Sequence, residues 1–268
     1  MQLNSHDLVK YKLCRNTIAF QWKDKDTTKT IVNYSITSII QFFETYSINT
    51  LTELTIQANE YNCAIVINKS NITNFEHIHK FFNVVYFVIN GTVLKNNKYI
   101  DIIMNTIIFR QICTFHQTDD IIKNNIYSII FENCNNYDQL ICVGGEMYIF
   151  AQLLKCNKLL CYSDYKSIVD DTEFNIGTYD NVHLVDYSIF TFSTNSSNTC
   201  LIANTSKSGM GINLCNNIIR NNIKKLVIIS CNEKSFSNDY SIIMKYYSIT
   251  IKKMINYVSI NILEYNSI

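Results

Sequence analysis

The chain has 268 residues with a formal net charge of +1, 47% hydrophobic and 13% aromatic residues. That composition excludes global disorder and gives no overall electrostatic bias toward nucleic acid or a membrane surface, although a local basic stripe fits inside a neutral total. The opening segment MQLNSHDLVKYKLCRN lacks the continuous apolar region of a secretion signal, and no run of about 18 apolar residues offers a membrane span, so a soluble, cytoplasmic protein is expected.

Residues 1–110 mix helical and strand-like patterns. In NYSITSIIQFFETYS (33–47), Ile36, Ile39, Ile40 and Phe43 fall at i, i+3, i+4, i+7 and predict one apolar helical face. CAIVIN (63–68) and FFNVVYFVIN (81–90) read as strands. Between them, His77 and His79 in FEHIHK alternate onto one face, with no neighbouring ligand to complete a metal site. NGT (90–92) is an Asn-Gly turn that predicts a hairpin into VLKNNKYIDIIMN. An α+β domain with antiparallel pairing is expected for residues 1–110.

A second domain, 111–268, has a different grammar. DDIIKNNIYSIIFENC (119–134) predicts a helix, with Ile122, Ile126, Ile129 and Ile130 on one face and Asp119 or Asp120 as its cap. Short apolar runs then alternate with helical stretches: QLICVGG (139–145), KLLCYSD (158–164), VHLVD (182–186), TCLIAN (199–204) and KKLVIISCN (224–232), then YSITIKKM and VSINILEY (258–265). This alternation predicts a mostly parallel α/β sheet with crossover helices. Ligands of such sheets lie beyond the strands' carboxyl ends, where Gly144-Gly145, Asp164, Asp186, Asn204 and Cys231 fall. A glycine pair lets backbone approach a ligand, and an acid after the next strand accepts hydrogen bonds from a ribose. VGGE is not the G-x-G-x-x-G fingerprint, so the glycine pair also reads as a plain strand-to-helix turn.

Ten cysteines are scattered without a C-x-x-C pair, which argues against zinc, an iron–sulfur cluster and a disulfide framework. Most are expected to be small buried hydrophobes. The chain has no proline, six glycines and abundant Asn, Ile, Lys and Tyr, the signature of a gene under A/T pressure. Missing prolines and glycines therefore weigh less against a motif here than elsewhere.

Over roughly residues 85–260 the order of pieces resembles the RNA 5-methyluridine methyltransferases, class I enzymes that use S-adenosylmethionine to methylate uracil C5 in tRNA or rRNA. TFHQTDD is similar to their S-F-x-Q-x-N segment, and QLICVGGEMYIFAQLL to D-L-Y-C-G-x-G-x-F. CYSDYKSIVDDTEFN resembles the second strand with its ribose-binding acid, and LIANTSKSGM resembles D-P-P-R-x-G-L. KKLVIISCNEKSFSNDYSII resembles I-V-Y-V-S-C-N-P-x-T-x-x-R-D-L, aligning Ser230, Cys231, Asn232 and Asp239, with Glu233 where proline is expected. The resemblance implies a Rossmann-like class I methyltransferase domain preceded by a smaller α+β RNA-binding domain. It implies Cys231 as nucleophile and Gln117, Gly145, Asp164 and Asn204 around the cofactor. Held in register with D-M-F-P at Met254, Ile262 falls where the family has its proton-abstracting glutamate, and Glu264, two residues on, is the candidate base.

Asn204-Thr205-Ser206-Lys207 stands in place of Asp-Pro-Pro-Arg, which removes a charge and two rigid residues. A second reading follows: a non-catalytic protein of the same fold that binds RNA or stabilises a protein partner. A third is methylation of a substrate that needs no such base.

Overall fold

The structure, a computed structural model, describes residues 7–14, 17–23, 53–58, 63–68, 84–89, 92–111, 114–116, 120–177, 181–194, 196–205 and 207–266. The predicted helix at 33–47, His77 and His79, the Asn-Gly pair of the predicted turn, and Gln117 lie outside these residues. The chain divides into two compact units. One comprises residues 1–101, 109–112 and 118–121, the other 102–108, 113–117 and 122–268.

In the first unit, β1 (Asp7–Cys14), β2 (Thr17–Lys23), β3 (Glu53–Ala58), β4 (Cys63–Asn68), β5 (Val84–Ile89) and β6 (Thr92–Asn96) form one sheet in chain order. Neighbours are antiparallel except β4 and β5. β5 and β6 pair across the predicted hairpin, Ile89 opposite Thr92. A two-stranded ribbon of β7 (Tyr99–Ile103) and β8 (Thr106–Arg110) follows. Its turn puts Met104 and Asn105 at φ 49° and 64°, the left-handed pair a tight hairpin needs, built here without glycine.

The second unit is a three-layer α/β structure. Its helices are α1 (Asp120–Cys134), α2 (Met147–Leu153), α3 (Lys166–Ile176), α4 (Gly211–Arg220) and α5 (Glu233–Ile243). Its strands are β9 (Tyr137–Gly144), β10 (Cys156–Ser163), β11 (Val182–Leu184), β12 (Thr199–Asn204), β13 (Lys225–Ser230), β14 (Tyr247–Ile255) and β15 (Val258–Tyr265), in the order β11-β10-β9-β12-β13-β15-β14. Pairing is parallel from β11 to β13, and β15 runs antiparallel to both β13 and β14. The expected mostly parallel sheet is present.

The continuous apolar runs follow from burial on both faces. Leu140, Cys142, Cys200, Ile202, Val227 and Ile229 face a core shared with α1, α2 and α3. Their alternates Ile141, Val143, Leu201, Ala203, Leu226 and Ile228 face a core shared with α4 and α5. All six chain positions in β12 are buried, so this central strand has no solvent face. Sequential βα crossovers thus leave five strand ends on one edge of the sheet.

Candidate active site at the carboxyl ends of the strands

A cavity of ≈ 380 Å³ opens at that edge, lined by Phe115, Gly144, Gly145, Asp164, Tyr165, Tyr187, Asn204, Lys207 and Cys231 among others. Four of the residues singled out from sequence, Gly145, Asp164, Asn204 and Cys231, therefore meet around one space. A second cavity of ≈ 310 Å³ shares Asp164, Tyr187 and Thr205 with it and reaches Gly209, Met210 and Gly211.

The glycine turn follows from close backbone packing. Gly144 has φ +89°, and a Cβ there would lie 2.2 Å from the Asn204 carbonyl oxygen. A Cβ on Gly145 would lie 2.8 Å from Phe115 Cδ1, inside the space the cavity wall occupies. Gly145 N–H donates to that same Asn204 carbonyl at 2.6 Å, which pins the turn to the end of β12. The next residue, Glu146, is fully buried. Its Oε1 accepts from the Tyr127 hydroxyl at 2.7 Å and its Oε2 from Asn204 Nδ2 at 3.0 Å.

Asp164 follows β10 directly and is exposed to the cavity. Partial desolvation holds its carboxyl above the usual carboxylate range, against its own backbone N–H; Asp186 adds to the upward push. Asp186 itself does not line the cavity. Its Oδ1 accepts from Ser188 N at 2.8 Å, and those serine bonds lower its pKa. Burial pushes the Tyr187 hydroxyl up, and that group donates to the Tyr162 carbonyl at 3.2 Å.

Cys231 sits between the last residue of β13 and the N-cap of α5. Of the seven cysteines whose burial is described, Cys134, Cys142, Cys161, Cys200 and Cys215 are buried, Cys156 is half-buried and Cys231 alone is exposed. The neighbours in S-C-N fix its turn. Asn232 N donates to Ser230 Oγ at 3.1 Å, and Asn232 Oδ1 caps α5 by accepting from Lys234 N at 3.1 Å. Asn232 Nδ2 also donates to the Lys207 carbonyl at 3.1 Å, tying the cysteine turn to the loop after β12. Further along α5, the Asp239 carboxylate accepts from Met210 N at 2.8 Å and Gly211 N at 3.1 Å, capping α4. A Cβ on Gly209 would lie 2.5 Å from Asp239 Oδ2, which accounts for that glycine.

Glu264 is not brought to this site. β15 runs antiparallel to β13, with Glu264 opposite Lys225 and Ser259 opposite Ser230. Moving toward the C-terminus along β15 therefore moves away from Cys231. Glu264 lies at the far edge of the sheet, 3.4 Å from Lys225 Nζ. Ile262 pairs with Val227 inside the core. Sequence reasoning missed Phe115, Tyr187 and the buried Glu146. Phe115 lay within the TFHQTDD motif, and Glu146 was a charge directly after the glycine pair.

Among the described residues, no cluster of three or more His, Cys, Asp or Glu is placed to hold a metal ion, and no helix is long and apolar enough to cross a membrane.

The chain matches no protein-family model and no curated protein. Among solved structures it is similar to the Pyrococcus abyssi tRNA (uracil-54, C5)-methyltransferase in complex with S-adenosyl-L-homocysteine. That match has 13% identity and a TM-score of 0.66, and covers 93% of this chain and 75% of that one. A second similarity is to Methanocaldococcus jannaschii Trm5 in complex with adenosine, at 10% identity and a TM-score of 0.48, over 91% of this chain and 83% of that one. The first of these, with the strand order and the crossovers, establishes that the chain has a Rossmann-like methyltransferase fold.

Proposed function

We propose that this protein is an S-adenosylmethionine-dependent RNA methyltransferase acting at C5 of uridine in tRNA or rRNA, with Cys231 as covalent nucleophile. The observation that carries the reading is one exposed thiol lining the same cavity as the glycine turn and Asp164. The similarity to a tRNA uracil-C5 methyltransferase over 93% of the chain supports it. RNA contact is assigned to residues 1–110 and to bases stacking on exposed aromatics.

The cavity residues fit the cofactor. Gly144 and Gly145 bring bare backbone to the cavity wall, Asp164 presents acceptors for a ribose diol, and Phe115 and Tyr165 supply apolar walls. Gln117 is assigned to the cofactor from the sequence alone. When bound, S-adenosylmethionine supplies the electrophilic methyl group that the base takes up at C5.

The rest is the work of the chain. Cys231 thiolate adds to C6 of a uracil turned out of its stack, and the C5–C6 pair of electrons moves into an enolate that makes C5 nucleophilic. After methylation the C5 proton leaves to a base, the enolate re-forms, and C5–C6 closes as the C6–S bond breaks and the thiolate departs. The N-terminus of α5, two residues beyond Cys231, favours an anion at this spot. Glu264 is not the base in this scheme, because it lies at the other edge of the sheet.

That displacement is the specific observation favouring the second reading, a methyltransferase fold that binds RNA or a protein partner without turnover. Incubating the protein with mixed tRNA and rRNA and methyl-labelled S-adenosylmethionine separates the two. Labelled 5-methyluridine that disappears with Cys231→Ala supports catalysis. Cofactor-free protein that retains RNA without incorporating label supports the binding protein.

A further inference from the structure

Glu146 is a carboxylate with no exposure, one residue beyond the Gly144-Gly145 turn. It has a left-handed backbone conformation, φ 59° and ψ 11°, a strained position for a side chain of this size. Burying a carboxylate is costly unless it is hydrogen-bonded, and this one is: both oxygens accept, one from a phenol on α1 and one from the Asn204 amide. Two donors directed at its two oxygens are compatible with an ionised carboxylate.

The bond to Asn204 has a second consequence. A carboxylate only accepts, so it fixes which way the Asn204 amide is turned: Nδ2 toward Glu146 and Oδ1 away from it, on a residue that lines the cavity. Donating to a carboxylate also polarises the amide, so its oxygen presents more negative charge. The cavity thus has a negative group one side chain behind its wall, relayed to the wall by a fixed dipole. Low dielectric around a buried charge lengthens its reach.

We propose that Glu146 is the positioning residue that makes this cavity select a cationic sulfonium ligand over its neutral thioether counterpart, acting through Asn204. The inference rests on the S-adenosylmethionine reading of the site and extends it. S-adenosylmethionine carries the positive charge, and S-adenosylhomocysteine, of nearly the same shape, lacks it. A site with this relay binds substrate in preference to spent product, and so clears the product.

Calorimetric titration of the full chain with both compounds tests it, on wild type, Glu146→Gln and the double variant Glu146→Gln/Asn204→Asp. The glutamine keeps the shape and removes the charge, so the ratio of the two affinities falls by roughly tenfold or more toward the neutral compound. A purely structural role would weaken both ligands together. The double variant restores one acid and one amide in exchanged places, and the ratio returns toward the wild-type value. An unchanged ratio in folded Glu146→Gln overturns the inference. Should the single variant fail to fold, Asn204→Ala decides, because it keeps the carboxylate and removes the amide between it and the cavity: a fallen ratio supports the relay, and an unchanged ratio in the folded protein overturns it. Wild-type protein that binds neither compound overturns the functional reading itself, and this inference with it; a wild type that binds both with an unmoved ratio overturns only the role of Glu146.

Discussion

At the carboxyl ends of its parallel strands the second unit presents Gly144, Asp164, Asn204 and Cys231 around one cavity. At the amino ends the same sheet presents Tyr137 and Lys225, with the antiparallel β15 contributing Glu264. The two edges use charge differently. At the amino edge Lys225 Nζ lies 3.4 Å from the Glu264 carboxylate and 5.9 Å from the centre of the Tyr137 ring, so its charge is absorbed by neighbours. At the carboxyl edge hydrogen bonds from loops and helix caps hold the turns themselves, and Asp164 and Cys231 remain open to the cavity. Helix N-termini also gather at this edge, because each crossover helix starts where a parallel strand stops. Groups open to a cavity are concentrated at one edge and ordinary charge pairing at the other.

The widest gap between the edges is expected at the thiols. Cys231→Ala removes an exposed side chain, so the melting temperature stays close to wild type while methyl incorporation falls by at least ~10³-fold. Cys200→Ala empties part of a fully buried site below the same strands and lowers stability by about 1–2 kcal/mol with little change in the rate per folded molecule. Denaturant melts beside rate measurements distinguish the two patterns. A Cys231 variant that keeps full activity would break the comparison at its strongest point.

Gly144→Ala tests the backbone side of the carboxyl edge. The new Cβ meets a main-chain oxygen, which does not step aside as a side chain would, and φ +89° is already unfavourable for alanine. A loss of about 2–5 kcal/mol is expected in denaturant unfolding. Gly145→Ala clashes with the Phe115 ring and meets the Asn204 carbonyl only at ordinary contact distance, so it should fold closer to normally while binding cofactor less well.

Asp164 gives a smaller, pH-dependent effect. Its folded pKa is raised by desolvation, so folding favours the protonated form. Its contribution to stability therefore increases as pH falls through that raised pKa, and is unfavourable above it. Binding of a diol-bearing cofactor needs the ionised acceptor and weakens over the same pH interval. Thermal melts with and without S-adenosylmethionine from neutral to acid pH should show the ligand-induced shift shrinking. Asp164→Asn should flatten both trends and bind weakly throughout.

Much of this was legible in the sequence. TCLIAN and VSINILEY coincide with β12 and β15 residue for residue, because runs buried on both faces leave a continuous apolar signature. The strand ends carrying Gly145, Asp164, Asn204 and Cys231 followed from the same runs. Strand direction did not. The turn joining β14 to β15 runs through Asn256 at φ 54° and Tyr257, with no glycine to mark it, and apolar alternation reads identically in both directions. The Glu146 network was hidden for another reason: Tyr127 and Asn204 are 19 and 58 residues away, and only the fold brings them together.

Glu264 is the substitution from which least is expected, and it sharpens the contrast between the edges most cleanly. Its side chain is 54% exposed, and its partner Lys225, 15% exposed, holds its ammonium at 3.4 Å. A pair whose carboxylate is open to solvent contributes about 0–1 kcal/mol, so Glu264→Gln should shift the melting temperature only slightly, and less at high salt. Methyl incorporation should be unchanged, because five residue steps along β13 take Lys225, its partner in register, to Ser230 beside the thiol. Strand rise of about 3.3 Å per residue makes that span roughly 16 Å, far beyond hydrogen-bond reach of a base bound at Cys231. Rate and stability measured together on the one variant discriminate fully. Loss of turnover at an unchanged melting temperature would place proton abstraction at the amino edge and end the division between the two. Retained turnover would direct the search for the base to residues around the cavity itself.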